Sequence, residues 1–209
     1  MIRCLDIHTH HPAPQPEAIV SSSIWDFNPI EGQLYSLGIH PWETDRSISS
    51  LDWKEFEKLA HMPQVVAIGE CGVDKLKGAP LYKQLLVFNR QIELSEQLGK
   101  PLIIHDVKAH DVIVGLKRNL KPKQNWLVHG FRGKPSVAKM LTEAGIYISF
   151  GEKFNPETPA TIPEDMLLAE TDESPLTIEE VIAKLSLNLK KDIKESIIKN
   201  SQFFLFGRN

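Results

Sequence analysis

Short runs of consecutive apolar residues punctuate the chain, and most of them end in a histidine or an acid. The first closes as Cys4-Leu5-Asp6-Ile7-His8-Thr9-His10. Later runs cover 18–24, 34–39 before His40-Pro41, 65–68 before Gly69-Glu70, and 102–104 before His105. The last three are 126–128 before His129, 146–150 before Gly151, and 166–169 before Glu170-Thr171-Asp172. Runs this short, mostly apolar on successive residues, predict strands covered on both faces, as in a parallel sheet.

Between the runs the apolar spacing changes to steps of three and four. Leu81, Leu85, Phe88 and Ile92 predict a helix over 81–98, which Gly99 ends and Pro101 prevents from continuing. Similar spacing predicts helices over 109–120, 136–144 and about 192–204. Asp52 is expected to cap a helix that buries Trp53, Phe56 and Leu59, and Thr177 with Glu180 has capping-box spacing before Val181. His11-Pro-Ala-Pro-Gln-Pro16 cannot lie inside a helix. Residues 26–33 read as loop, and 153–165 hold three prolines with no convincing period.

Strands alternating with helices imply a parallel sheet, and about eight strands is the number of a closed TIM-type (β/α) barrel. Parallel neighbours need a crossover of roughly a dozen residues. The links around 18–24 are short, so the barrel is expected to be irregular, with helices missing between strands 1–3 and between strands 7 and 8. No internal repeat, low-complexity tract or interdomain linker interrupts residues 1–209, which read as a single domain.

A net charge of -3 argues against a broad basic nucleic-acid surface, although bound cations can supply positive charge locally. Two cysteines make no disulfide framework. The absence of a long apolar run or a signal-peptide pattern leads to the expectation of a reduced, cytoplasmic protein without membrane contact.

In a barrel of this kind all strand C-termini open on one face, where the reaction is carried out. His8, His10, His40, Glu70, His105, His129 and Asp172 would meet there. His8 and His10 share one side of their strand, because strands alternate with period two. Such a set of imidazoles and carboxylates suits a pair of divalent cations with one carboxylate bridging, and nitrogen ligands favour zinc, manganese or iron over bare magnesium. His40 precedes a proline and either touches substrate or fixes a turn. His11, His61 and His110 read as solvated or local partners. Cys71 reads as a buried filler, and the Trp and Phe residues as core or pocket wall.

The ordered motifs Asp6-Ile-His-Thr-His10, Gly38-Ile-His-Pro41, Ile68-Gly-Glu-Cys-Gly-Val-Asp74, Pro101-Leu-Ile-Ile-His105, Val128-His-Gly-Phe131 and Glu170-Thr-Asp172 resemble the TatD family of metal-dependent deoxyribonucleases, within the amidohydrolase-like barrels. The resemblance implies that His8, His10 and Asp172 hold one ion and His105 and His129 the other. Glu70 would bridge them, and Asp172 would orient or deprotonate the attacking water. It implies two divalent ions (magnesium, manganese or zinc) and hydrolysis of DNA phosphodiesters, often from the 3′ end. The chain departs from the family in being shorter between His10 and Gly38 and after Asp172. It lacks the arginine that usually follows the histidine at His105, and Arg132 replaces a serine. Lys108 and Arg132 are the candidate phosphate-binding residues, with His40 as a third contact to substrate. DNA or another phosphoester is the expected partner, with no obligate protein partner. A small phosphoester, ester or amide substrate is the alternative, and a metal-holding protein without turnover is a third reading.

Overall fold

A computed structural model describes residues 3–11 and 17–207, so the proline-rich stretch at 12–16, expected only not to be helical, lies outside the described residues. The apolar runs form one parallel eight-stranded sheet whose strands follow each other in chain order. These are β1 (Asp6–Thr9), β2 (Ala18–Ser23), β3 (Leu34–Gly38), β4 (Val65–Asp74), β5 (Leu102–Val107), β6 (Trp126–Val128), β7 (Ile146–Phe150) and β8 (Leu167–Ala169). An isolated parallel bridge between Thr9 and Asp172 joins the two edges and closes the ring.

Among the described residues six α-helices accompany the strands: α1 (Ser50–Ala60), α2 (Leu81–Leu98), α3 (His110–Leu120), α4 (Pro135–Glu143), α5 (Ile178–Leu189) and α6 (Lys194–Phe206). The expected irregularity appears at two links, while the link from β1 to β2 includes residues 12–16, outside the described residues. β2 passes to β3 without a helix, and β7 reaches β8 through two short 3-10 turns. Among the described residues no helix is long and apolar enough to cross a membrane.

Two local expectations are corrected. Asp52 does not cap α1: Ser49 does, accepting from the Asp52 amide, while the Asp52 carboxylate accepts from the Ser49 backbone. Nor does the fourth strand stop at Ile68. It continues to Asp74 through a fully buried stretch, so Glu70 sits inside the strand. Glycine normally weakens a strand interior, which is why the run seemed to end there.

The core has two layers. Cys4, Ile7, Ile19, Ala67, Ile103, Leu127, Tyr147 and Leu168 pack together, with Leu34 against them, so all eight strands or their immediate starts contribute. Only the inside of a ring can collect one face of every strand. Phe204 and Leu205 of α6 join this cluster and plug it. The larger cluster lies between sheet and helices and includes Leu37, Ile68, Phe88, Ile104, Trp126 and Ile148.

Candidate metal centre

Strand parity carries the ring's interior directly into the site. Ile103 and His105, Leu127 and His129, and Leu168, Glu170 and Asp172 are pairs or triples two residues apart. Each apolar member belongs to the interior cluster, so each polar member projects above it. β1 and β4 reach the same place by a different route. The pairing register shifts between Asp6 and Thr9 and between Ile68 and Cys71. Such irregularities re-aim side chains next to active sites, and here they deliver His8 and Glu70.

Glu70 lies at the centre. Its Oε1 is 2.7 Å from His105 Nδ1, 2.8 Å from His129 Nε2 and 3.0 Å from His40 Nε2. Its Oε2 is 3.4 Å from both His8 Nε2 and His10 Nε2. Asp172 Oδ1 stands 4.0 Å from His8 Nε2 and 3.8 Å from His10 Nε2. The two oxygens of one carboxylate therefore face two groups of imidazoles, with Asp172 on the His8–His10 side. Among the described residues four overlapping triads have ligand atoms close enough to share an ion: His8–His10–Asp172, His8–Glu70–His129, His40–Glu70–His105 and His129–Glu170–Asp172.

The charges follow from burial and neighbours. Burial pushes His8 below the ordinary imidazole range, and the adjacent His129 adds to that. For His10, burial acts in the same direction, but Glu70 and then Asp172 outweigh it and the ring is raised. For His129, burial is overcome by the carboxylates of Glu70 and Glu170, which hold it well above its usual value. Burial opposes ionisation of Glu70, yet the charge of His129 and contacts from His10, His105 and His129 keep it well below the ordinary carboxylate range.

The donor set fits a divalent cation. His8 is fully buried, and neither of its ring nitrogens has a hydrogen-bond partner. A polar atom left in that condition costs roughly 1–3 kcal/mol. His8 Nε2 faces Glu70 Oε2 at 3.4 Å and Asp172 Oδ1 at 4.0 Å, and a cation shared with those oxygens would recover that cost by ligation.

The structure brings His8, His10, His40, Glu70, His105, His129 and Asp172 together, and His40 both caps the Pro41–Glu43 turn and faces Glu70. Lys108 and Arg132 line a cleft of about 410 Å³ together with His105, His129 and Asp172. Lys108 and Asp172 both hold left-handed backbone (φ 56° and 55°), a strained state that collects at functional sites. His11, His61 and His110 have local partners: the Ser174 carbonyl, the Glu57 carbonyl and the Asp106 carboxylate.

Two residues had no role assigned from sequence. Glu170 is buried, places Oε1 3.5 Å from His129 Nδ1, and accepts from the Ser149 hydroxyl. Its parity with Asp172 was the available signal. Asp74 is 3.2 Å from His105 Nε2 and accepts 2.7 Å from the Trp42 indole N–H. The only sign of it in the sequence was its place at the end of a motif.

Comparison with known proteins follows the same lines. A family model described as TatD related DNase matches residues 22–196. The uncharacterized metal-dependent hydrolase YabD of Bacillus subtilis (strain 168) is 34% identical over 147 residues, 66% of this chain and 57% of that protein. The 3'-5' ssDNA/RNA exonuclease TatD of Erwinia tasmaniensis is 31% identical over 152 residues, 65% of this chain and 56% of that protein. The chain thus spans a little over half the length of these curated relatives. The crystal structure of YJJV, a TatD homolog from Escherichia coli K12, matches all of this chain and 99% of its own, with a TM-score of 0.79 at 20% identity.

Proposed function

The chain belongs to the family of TatD-related DNases, and from that premise we propose that it hydrolyses DNA phosphodiester bonds at the 3′ end. The observation that carries the reading is Glu70, encircled by five imidazoles, two of which (His105 and His129) line a cleft with two cationic side chains. His8, His10 and Asp172 would hold one divalent ion and His105 and His129 a second, with Glu70 between them and His40 a further available donor. Magnesium, manganese or zinc in that setting would supply Lewis acidity and ease the deprotonation of water.

The chain's own residues provide the rest. Asp172 is partly open to the cleft, its side chain 26% exposed, and orients the attacking water or takes its proton. Lys108 and Arg132 grip the phosphate, the guanidinium through paired hydrogen bonds. Glu170 and Asp74 fix the rings of His129 and His105 from behind. Residues 1–209 act as one hydrolase domain. The buried free thiols of Cys4 and Cys71 suit a reducing compartment, the cytoplasm.

Asp172→Asn and His129→Ala should each lower hydrolysis of a single-stranded oligonucleotide by at least ~10³-fold, within the range of losing metal and base assistance, with circular dichroism unchanged. Full activity in a folded Asp172→Asn would overturn its role. A small phosphoester is the second reading, favoured by the low net charge and the modest cleft. A salt series separates the two, because contacts to many phosphates weaken steeply with salt.

A further inference from the structure

A second cavity, of about 390 Å³, opens onto Glu70 from the side of β2 and β3. Its walls include Ser21–Ser23, Asp26, Trp42 and Glu43, with no lysine or arginine among the residues lining it. The two sides of the centre therefore differ in lining. The cleft at His105 and His129 carries Lys108 and Arg132; the cavity at Glu70 carries hydroxyls, carboxylates, one exposed indole and the rings of His10 and His40.

Trp42 and Glu43 are held in place. Trp42 is 44% exposed, yet its N–H donates to the Asp74 oxygen that also faces His105. Lys77 sits 3.2 Å from the ring centre. The Glu43 carboxylate accepts from the His40 backbone N–H at 3.1 Å and from the Ser23 hydroxyl at 2.8 Å. The Glu43 contacts complete the cap of the short 3-10 turn Pro41–Glu43, which fixes its carboxylate at the cavity wall beside the partly open Trp42 ring.

We propose that this cavity is a subsite for one terminal nucleoside with a free 3′-hydroxyl. The base packs against Trp42 and the sugar is held by the serine run, while Asp26 and Glu43 repel a terminal 3′-phosphate. This rests on the nuclease reading above and gives it an orientation. The scissile phosphate lies at Glu70, the preceding phosphates lie toward Lys108 and Arg132, and the last nucleoside fills the serine cavity. Water oxygen bonds to phosphorus and the P–O3′ bond to the penultimate sugar breaks. That O3′ takes up a proton, and a nucleoside 5′-monophosphate leaves.

The test has two arms. In the first, the metal-loaded enzyme is given oligonucleotides ending in 3′-hydroxyl or 3′-phosphate. The hydroxyl end should be preferred by at least ~tenfold in kcat/KM, through like-charge rejection of the other. The pair Asp26→Asn with Glu43→Gln should bring the two ends to near parity. Trp42→Ala should raise KM about tenfold or more, the usual worth of a base against an aromatic ring, and Trp42→Phe should restore most of it. In the second arm, deoxyadenosine is titrated into metal-free protein while tryptophan fluorescence is followed. Quenching should appear in the wild type, be lost in Trp42→Phe, and be weak with deoxyadenosine 3′-monophosphate. Equal hydrolysis of both ends, or quenching that survives Trp42→Phe, would overturn the subsite while leaving the nuclease reading intact. Quenching with the expected selectivity but no cleavage of any oligonucleotide would support the subsite and overturn the nuclease reading.

Discussion

Glu170 is wholly buried and still ionised. Burial opposes its charge, but His129 beside it outweighs that and lowers the carboxyl below its usual value. The pair explains how His129 keeps a fixed ring orientation in a crowd of imidazoles. Glu170→Gln keeps the shape and removes the charge. It should weaken manganese or zinc binding by roughly 10–100-fold in a calorimetric titration; unchanged affinity would show that His129 needs no such partner. Asp6 is a second buried acid of a different kind. Burial outweighs the hydrogen bonds from the Thr171 amide and hydroxyl and lifts it to about 7. The folded protein therefore keeps a proton that the unfolded chain loses near pH 4. Asp6 makes stability fall as pH rises between about 4 and 7, by at most ~4 kcal/mol. In chelator-treated protein, urea midpoints should show this slope in the wild type and a flattened one in Asp6→Asn. At this scale the sequence was informative wherever a polar residue followed an apolar run. For Glu170 and Asp74 it held only a shared parity and a place at the end of a motif, because a carboxylate's partner is set by three-dimensional packing and not by spacing.

Elements explain how Glu70 comes to stand among so many rings. The backbones of β3, β4 and β5 approach more closely around it than side chains would allow. A Cβ on Gly38 would lie 2.6 Å from the Glu70 carbonyl oxygen, and one on Gly72 would lie 2.2 Å from that of His105. Gly38→Ala should therefore cost about 1–3 kcal/mol, as overpacking does, and should displace Glu70 enough to reduce activity out of proportion to the stability lost. A thermal melt beside a rate measurement checks both; a variant with normal rate and stability would mean the strands can part. The glycines also explain where sequence reading fell short. They interrupt the apolar pattern at Gly69 and hide the second half of β4, although that half is the part that matters chemically. The helices were easier to place, since their three-and-four spacing runs for several turns without a gap.

For the whole molecule, the centre links segments from nearly every strand, so ligation and stability are coupled. A divalent ion present at about a hundred times its dissociation constant adds ~2.7 kcal/mol. For a chain of this size that is a rise in Tm of roughly 5–10 °C. Manganese or zinc should give such a shift in the wild type and little in His8→Ala; equal shifts in both would place the ion elsewhere. The barrel itself was legible from the count and alternation of apolar runs. How its two edges meet was not, because a period-two pattern does not say which strands become neighbours.

That meeting point has its own consequence. Thr9 and Asp172 stand 163 positions apart, and Asp172 trades backbone hydrogen bonds with His8 and His10. The fastener of the ring is thus built from the same residues as its candidate metal centre. A cation seated there would act as a rivet through the first and last staves, and the full donor set can exist only once the circle has shut.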